Sequence, residues 1–160
     1  MQTTILIPTD FTIESLSLLK LAMHEQSEGE LRIVFVHGIR LTDSITELLF
    51  FSPHKQLAQL ENEAFREACS VIQNKFTTRI ASIQTELFTG KTNAAFRQFL
   101  ETRKIDMVIV PTRKLLKRTS KTSIDLIPFI EKSTVPKIHV AWEAKPISPE
   151  KDKLAELFAL

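Results

Sequence analysis

Glycine is scarce in this chain: Gly29, Gly38 and Gly90 are the only three among 160 residues. Main chain that must lie directly against a ligand, or take positive φ repeatedly, therefore has few places to form. Cysteine is scarcer still, and a lone Cys69 excludes an intrachain disulfide framework and any multi-thiolate metal site within one chain. Its position inside a long helical pattern reads as buried filler rather than a nucleophile. No run of 18 apolar residues is present to span a bilayer. The opening MQTTILIPTD has neither a basic start nor a signal-like apolar stretch, so we expect a cytoplasmic protein that makes no use of a membrane. An excess of one charge sign is missing too: 21 Lys and Arg against 19 Asp and Glu leave a net +2, too little to argue for nucleic acid.

What is present is an ordinary globular composition, 43% hydrophobic and 25% charged, in a length that fits one domain. A chain of this size buries roughly two thirds of its unfolded surface and needs no staple. Thr4 to Pro8 reads as a strand, and Thr12 to about Ser27 as a helix with Ser15, Leu18, Leu19, Ala22 and Met23 at helical spacing. Leu31 to Val36, bounded by Gly29 and Gly38, reads as a buried strand. After a connection from Gly38 to Pro53, a single helix is expected from about Lys55 to Thr78, burying Leu57, Leu60, Ala64, Ala68, Val71, Ile72 and the Lys75 stem. Ile80 to Phe88 alternates as a strand, and Thr92 to Arg103 is a helix facing inward through Ala95, Phe96, Phe99 and Leu100. Met107 to Val110 is apolar throughout, as a central strand is. Ser123 to Lys132 reads as a helix in which Pro128 either kinks the run or begins a shorter helix. Lys137 to Trp142 is the last strand, and Glu150 to Leu160 an amphipathic tail helix. Five strands separated by helix-length crossovers must run parallel, which gives a doubly wound α/β domain.

The first turn, ILIPTDFTIESLSLLKLA, resembles the universal stress protein family, whose first strand ends in Pro-Thr-Asp. RIVFVHG resembles its second strand ending near a His, GKTNAAFRQFLETRKIDMVIV its third helix and fourth strand, and VPKIHVAW its Pro-bearing last strand. The resemblance covers nearly the whole chain. It implies a three-layer sandwich around a five-stranded parallel sheet of order 3-2-1-4-5, Rossmann-like and similar to adenine nucleotide alpha hydrolases. It also implies a homodimer through the last strand, residues 137–142, and assigns residues 1–142 to the domain and 143–160 to a linker and short helix.

ATP-binding members of that family share Gly, two residues, Gly, nine residues, then Gly followed by Ser or Thr after strand four. Here those glycine positions fall on Pro111, Lys114, and Ser123 or Ile124. Proline has no N–H to offer a phosphate, and a side chain at a position of positive φ or close approach adds clash. We therefore expect no cofactor, with ATP disfavoured. The residues edging the crevice beyond the strand ends are Thr9, Asp10, Val36, His37, Gly38, Thr112, Arg113 and Lys114. Asp10 matches the residue near the nucleoside in ATP binders; its alternative role is to cap the first helix.

The loop from Arg113 to Lys121 carries Arg113, Lys114, Lys117, Arg118 and Lys121 with no acid before Asp125. It reads as a solvated basic surface loop or as cations that hold an anion in place of main-chain N–H groups. It lacks the interleaved aromatics of a nucleic-acid surface. LLFF at 48–51 is either an exposed partner patch or lid, or a cover over the sheet's end where an adenine would lie. His24, His37, His54 and His139 show no ligand spacing, so no metal is expected. Neither a G-x-S-x-G elbow nor a Cys-His pair is visible, and Asp10 alone cannot serve as both acid and base. The expectation is a non-catalytic stress-response or regulatory protein acting through dimerisation and a protein or small-molecule partner. The alternative is a nucleotide module that uses Asp10 and the basic loop 113–121.

Overall fold

Alternate residues of a strand point to opposite faces of a sheet, and in the strands over residues 2–8, 30–39 and 107–111 both sets carry buried apolar residues, so the centre of the sheet is covered on both sides. The computed structural model describes residues 2–41, 43–112, 116, 120–141 and 158. Strand β1 (Gln2–Pro8) leads through a 3-10 turn (Glu14–Leu16) into α1 (Ser17–Glu25) and β2 (Glu30–Ile39). Three helices follow, α2 (Ile45–Leu49), α3 (Pro53–Leu60) and α4 (Glu63–Lys75), then β3 (Ile80–Phe88), α5 (Asn93–Thr102) and β4 (Met107–Pro111). The two-residue β5 (Ser123–Ile124), α6 (Ile127–Lys132) and β6 (Lys137–Val140) complete the described elements.

The five longer strands pair in parallel in the order β3-β2-β1-β4-β6. This is the expected doubly wound order, with β6 as its fifth strand. Ile5 and Ile7 point to the face covered by α1 and α4, where Leu18, Leu19, Phe65 and Ile72 are buried. Leu6, Val34, Val36, Val108 and Val110 point to the other face, against Phe96, Phe99 and Leu100 of α5 and Ile130 of α6. Phe88, Phe96, Phe99 and Phe129 form an aromatic cluster there, with ring centroids 5.1 to 6.0 Å apart.

The expected single helix from 55 to 78 is two helices. Asn62 breaks it, accepting the Phe65 N–H at 2.7 Å as the N-cap of α4. The break shifts the helical phase, so Val71, expected inside, is 43% exposed while Phe65, not expected, is fully buried. The expected helix from Ser123 is shorter as well. Ser123 and Ile124 pair antiparallel with Ile39 and Gly38, and Pro128 sits in the first turn of α6, where its missing N–H costs nothing. The expected tail helix lies outside the described residues apart from Phe158, which is buried 6.1 Å from the Phe76 ring.

Two clamps fix the sheet's bottom edge. Asp106, just before β4, accepts the Thr4 N–H at 2.8 Å and donates its own N–H to the Thr4 carbonyl at 2.8 Å. The Arg79 guanidinium donates to the carbonyls of Gly29 (3.0 Å), Ser27 (3.0 Å) and Gln26, gathering the turn between α1 and β2 around one cation. That charge sits at the negative end of α1.

Candidate functional site

The carboxyl ends of β1 and β4 flank the point where strand order reverses, the usual ligand crevice of an open α/β sheet, and the end of β2 lies beside that of β1. The turn leaving β1 is tightly bonded to itself. Asp10 Oδ1 accepts the Thr12 N–H at 3.1 Å and the Thr12 hydroxyl at 2.5 Å. The Ser15 hydroxyl donates to the Thr12 carbonyl at 2.7 Å, which leaves its oxygen to accept the Thr9 hydroxyl at 2.9 Å. Thr9 Oγ1 in turn accepts the Phe11 N–H at 3.0 Å. These bonds hold Phe11 at φ 62°, a left-handed conformation that a bulky residue adopts only where its surroundings impose it. Its ring is 1% exposed, 5.0 Å from His37 and 5.5 Å from Phe65, and its carbonyl accepts from Asn62 Nδ2 at 2.9 Å.

His37 links this turn to the far side of the basic loop. Its Nδ1 lies 2.9 Å from the Thr9 carbonyl, which only accepts, so Nδ1 carries the proton. Nε2 lies 2.7 Å from Ser123 Oγ. Burial pushes the His37 pKa below its ordinary value, with the Thr9 carbonyl and the Asp10 charge opposing. The neutral ring therefore accepts the Ser123 hydroxyl at Nε2, and Ser123 Oγ accepts the Ser120 N–H at 3.0 Å. A continuous path of hydrogen bonds runs from Ser120 through Ser123 and His37 to the end of β1.

Gly38 is covered. A Cβ there would come within 2.6 Å of Leu126 and 2.7 Å of Ile124, so the glycine serves the approach of β5 and α6. Val36 is fully buried in the core, and its carbonyl accepts the Thr9 N–H at 2.9 Å. Thr112 stands apart from the others. Its N–H and its hydroxyl both donate to the Val140 carbonyl at 3.0 Å, anchoring the end of β4 to β6. Arg113 and Lys114 lie outside the described residues. The structure thus brings together Thr9, Asp10, Val36, His37 and Gly38, and adds Ser15, Ser123 and Asn62, none of them expected among the crevice residues. Of these Asn62 had a legible signal, since Asn three residues before Phe65 is cap spacing.

The remaining candidates carry less. Burial pushes the Cys69 thiol up to about 12, which keeps it protonated and unreactive. Among the described residues no three His, Cys, Asp or Glu side chains gather where a metal ion could be held. Among the described residues no helix is long and apolar enough to cross a membrane. LLFF does not fill the strand-end crevice as one unit: Leu48 is 40%, Leu49 76% and Phe50 80% exposed, while Phe51 packs against the core.

Fold and crevice together define a Rossmann-like doubly wound domain with its polar residues gathered at the β1–β2 ends. A model of the universal stress protein family matches residues 1–156, and the chain belongs to that family. The universal stress protein UspA from Lactobacillus plantarum is similar in structure, with TM-score 0.54 at 14% identity over 86% of this chain and 97% of that one. A universal stress protein family member from Arabidopsis thaliana with AMP bound gives 0.51 at 10% identity, over 89% of this chain and 93% of that one. A universal stress protein family member from Burkholderia pseudomallei gives 0.50 at 10% identity, over 86% and 95%. Among curated proteins no relative matches.

Proposed function

We propose that this chain is a non-catalytic stress-response or regulatory protein that has given up the family's ATP-phosphate loop. It acts through dimerisation and through a protein or small-molecule partner. One observation carries the reading: the polar groups at the strand ends are engaged with one another. Asp10 Oδ1 holds Thr12 twice, and both His37 nitrogens have partners within the chain. A nucleotide entering here would have to replace bonds that position the first turn, each worth about 0.5–1.5 kcal/mol. Pro111, where the phosphate loop of ATP binders has its first glycine, offers no N–H in return.

The alternative, a nucleotide module using Asp10 and the cations of 113–121, shares its fold with the AMP-bound Arabidopsis protein. One experiment separates them. Purified protein is incubated with ATP and Mg²⁺, and bound nucleotide and released phosphate are followed together. The first reading expects neither; bound nucleotide without phosphate release transfers the case to the second; phosphate release contradicts both.

A further inference from the structure

The connection between β2 and α4 lines a cavity of about 330 Å³ to which Thr9, Asp10, Val36, His37, Gly38 and Thr112 contribute nothing. Its lining divides by chemistry. Ile39, Leu41, Phe50 and Phe51 are apolar, while Arg40 and Lys55 bring positive charge and Glu47 a single negative one. Ion pairs among the described residues are Lys91–Asp43, Arg103–Glu86 and His139–Glu131, which leave Arg40 and Lys55 without a carboxylate.

The start of α3 adds to this positive field. Ser52 caps the helix, accepting from the Lys55 N–H at 3.4 Å, and Ser52 also lines the cavity. The first turn of a helix favours an acid, because its unpaired N–H groups and dipole are positive there. This first turn has no acid and carries Lys55 instead. Arg40 is fixed nearby through its main chain, whose N–H donates to the Thr122 carbonyl at 2.7 Å, and Thr122 lines the cavity as well. Pro53 at the first position of α3 has no N–H and the Lys55 N–H is held by Ser52, so the contacts open to a head group are those of the two cations, which share one small concavity with Glu47 and an aromatic wall. Phe50 is 80% exposed beside Ile45 and Leu49, each 76% exposed, so the aromatic wall belongs to an exposed apolar patch.

We propose that this cavity binds a small amphipathic anion. A carboxylate, sulfonate or phosphate head lies between Arg40 and Lys55, and an aromatic or aliphatic body lies against Phe50 and Phe51. A volume of this size is at the lower end of ordinary small-molecule sites.

The test uses anilinonaphthalene sulfonate, an aromatic body with an anionic head, titrated with the full chain and followed by fluorescence. Saturable binding with one dye per chain is expected, weakened about tenfold in Arg40→Gln and in Lys55→Glu through the lost charge-assisted contact, and likewise in Phe50→Ser. All three positions are exposed, so the variants keep the wild-type far-ultraviolet circular dichroism and cooperative melting. Lys20→Gln, exposed on α1 and outside the cavity lining, binds the dye as the wild type does, which ties the loss to the cavity and not to surface charge in general. Non-saturable binding overturns the proposal, as does affinity unchanged in both charge variants. Uncharged phenylnaphthylamine binding as tightly as the sulfonate overturns the role of the head group.

Discussion

His37 uses its two ring nitrogens on distant parts of the chain, the Thr9 carbonyl in the first turn and the Ser123 hydroxyl beyond the basic loop. Its pKa is lowered by burial from 6.5, and that gives stability a pH dependence of definite sign. Above the unfolded value the ring is neutral in both states, and its bonds contribute in full. As pH falls below that value the unfolded chain takes up a proton that the folded chain refuses. Stability declines until the folded pKa is reached and then levels off. Urea unfolding of the wild type should therefore show a lower midpoint at about pH 5.5 than at about pH 7.5, and His37→Gln a smaller difference between the two. The variant should also lose about 1–2 kcal/mol at the higher pH from the unmatched Ser123 and Thr9 groups. An undiminished pH difference in His37→Gln would assign the effect to other groups. Phe11 belongs to the same scale. Its left-handed φ cannot be read from PTDF, because Phe has no preference for that region and the cause lies in the Thr9, Ser15 and Asn62 bonds around it.

At the scale of elements, Asn62 does two jobs with one side chain. Its Oδ1 caps α4 at the Phe65 N–H, and its Nδ2 donates to the Phe11 carbonyl, so the helix start is tied to the first turn. Asn62→Ala should destabilise the protein by about 2 kcal/mol, roughly one for the cap and one for the bond to Phe11. Asn62→Asp, which keeps the cap acceptor and loses the donor, should recover about half of that in chemical denaturation. Equal losses in both variants would mean that the cap contributes nothing.

The same junction shows where sequence reading works and where it stops. Strand β3 and helix α5 are legible nearly to the residue, because two-residue and 3.6-residue hydrophobic periods are local and Thr92 is an evident cap. The run from 55 to 75 satisfies a helical period well enough to hide the break at Glu61 and Asn62. A short break changes the phase, not the character, of the pattern, which is why Val71 is misplaced and Phe65 missed. Ser123 and Ile124 escape for another reason: their strand pairing with Gly38 and Ile39 is a contact across more than eighty residues, which no local period encodes. In the crevice, Thr9, Asp10 and His37 are legible from their place at strand ends. Their partners Ser15 and Ser123 are not, since serines on helices and loops are too common to signal a bond.

At the scale of the molecule, the order β3-β2-β1-β4-β6 leaves β3 and β6 at the two edges of the sheet. An edge strand presents unpaired N–H and C=O groups that a second chain can complete. We predict a homodimer joined through residues 137–142, with a light-scattering mass of two chains at micromolar concentration; His139→Pro, which removes a donor on the side of β6 facing away from β4, should shift it toward one chain. A wild-type mass of a single chain contradicts this assembly.

The central proposal concerns the crevice: its polar groups hold the first turn and the end of the basic loop, and we propose that the chain has given up the family's phosphate cradle beside them. Isothermal titration of the full chain with ATP and Mg²⁺ tests it most directly. The account predicts no saturable heat up to roughly millimolar nucleotide, since the site would have to break its own hydrogen bonds to bind. Micromolar binding that disappears in Asp10→Ala would contradict it.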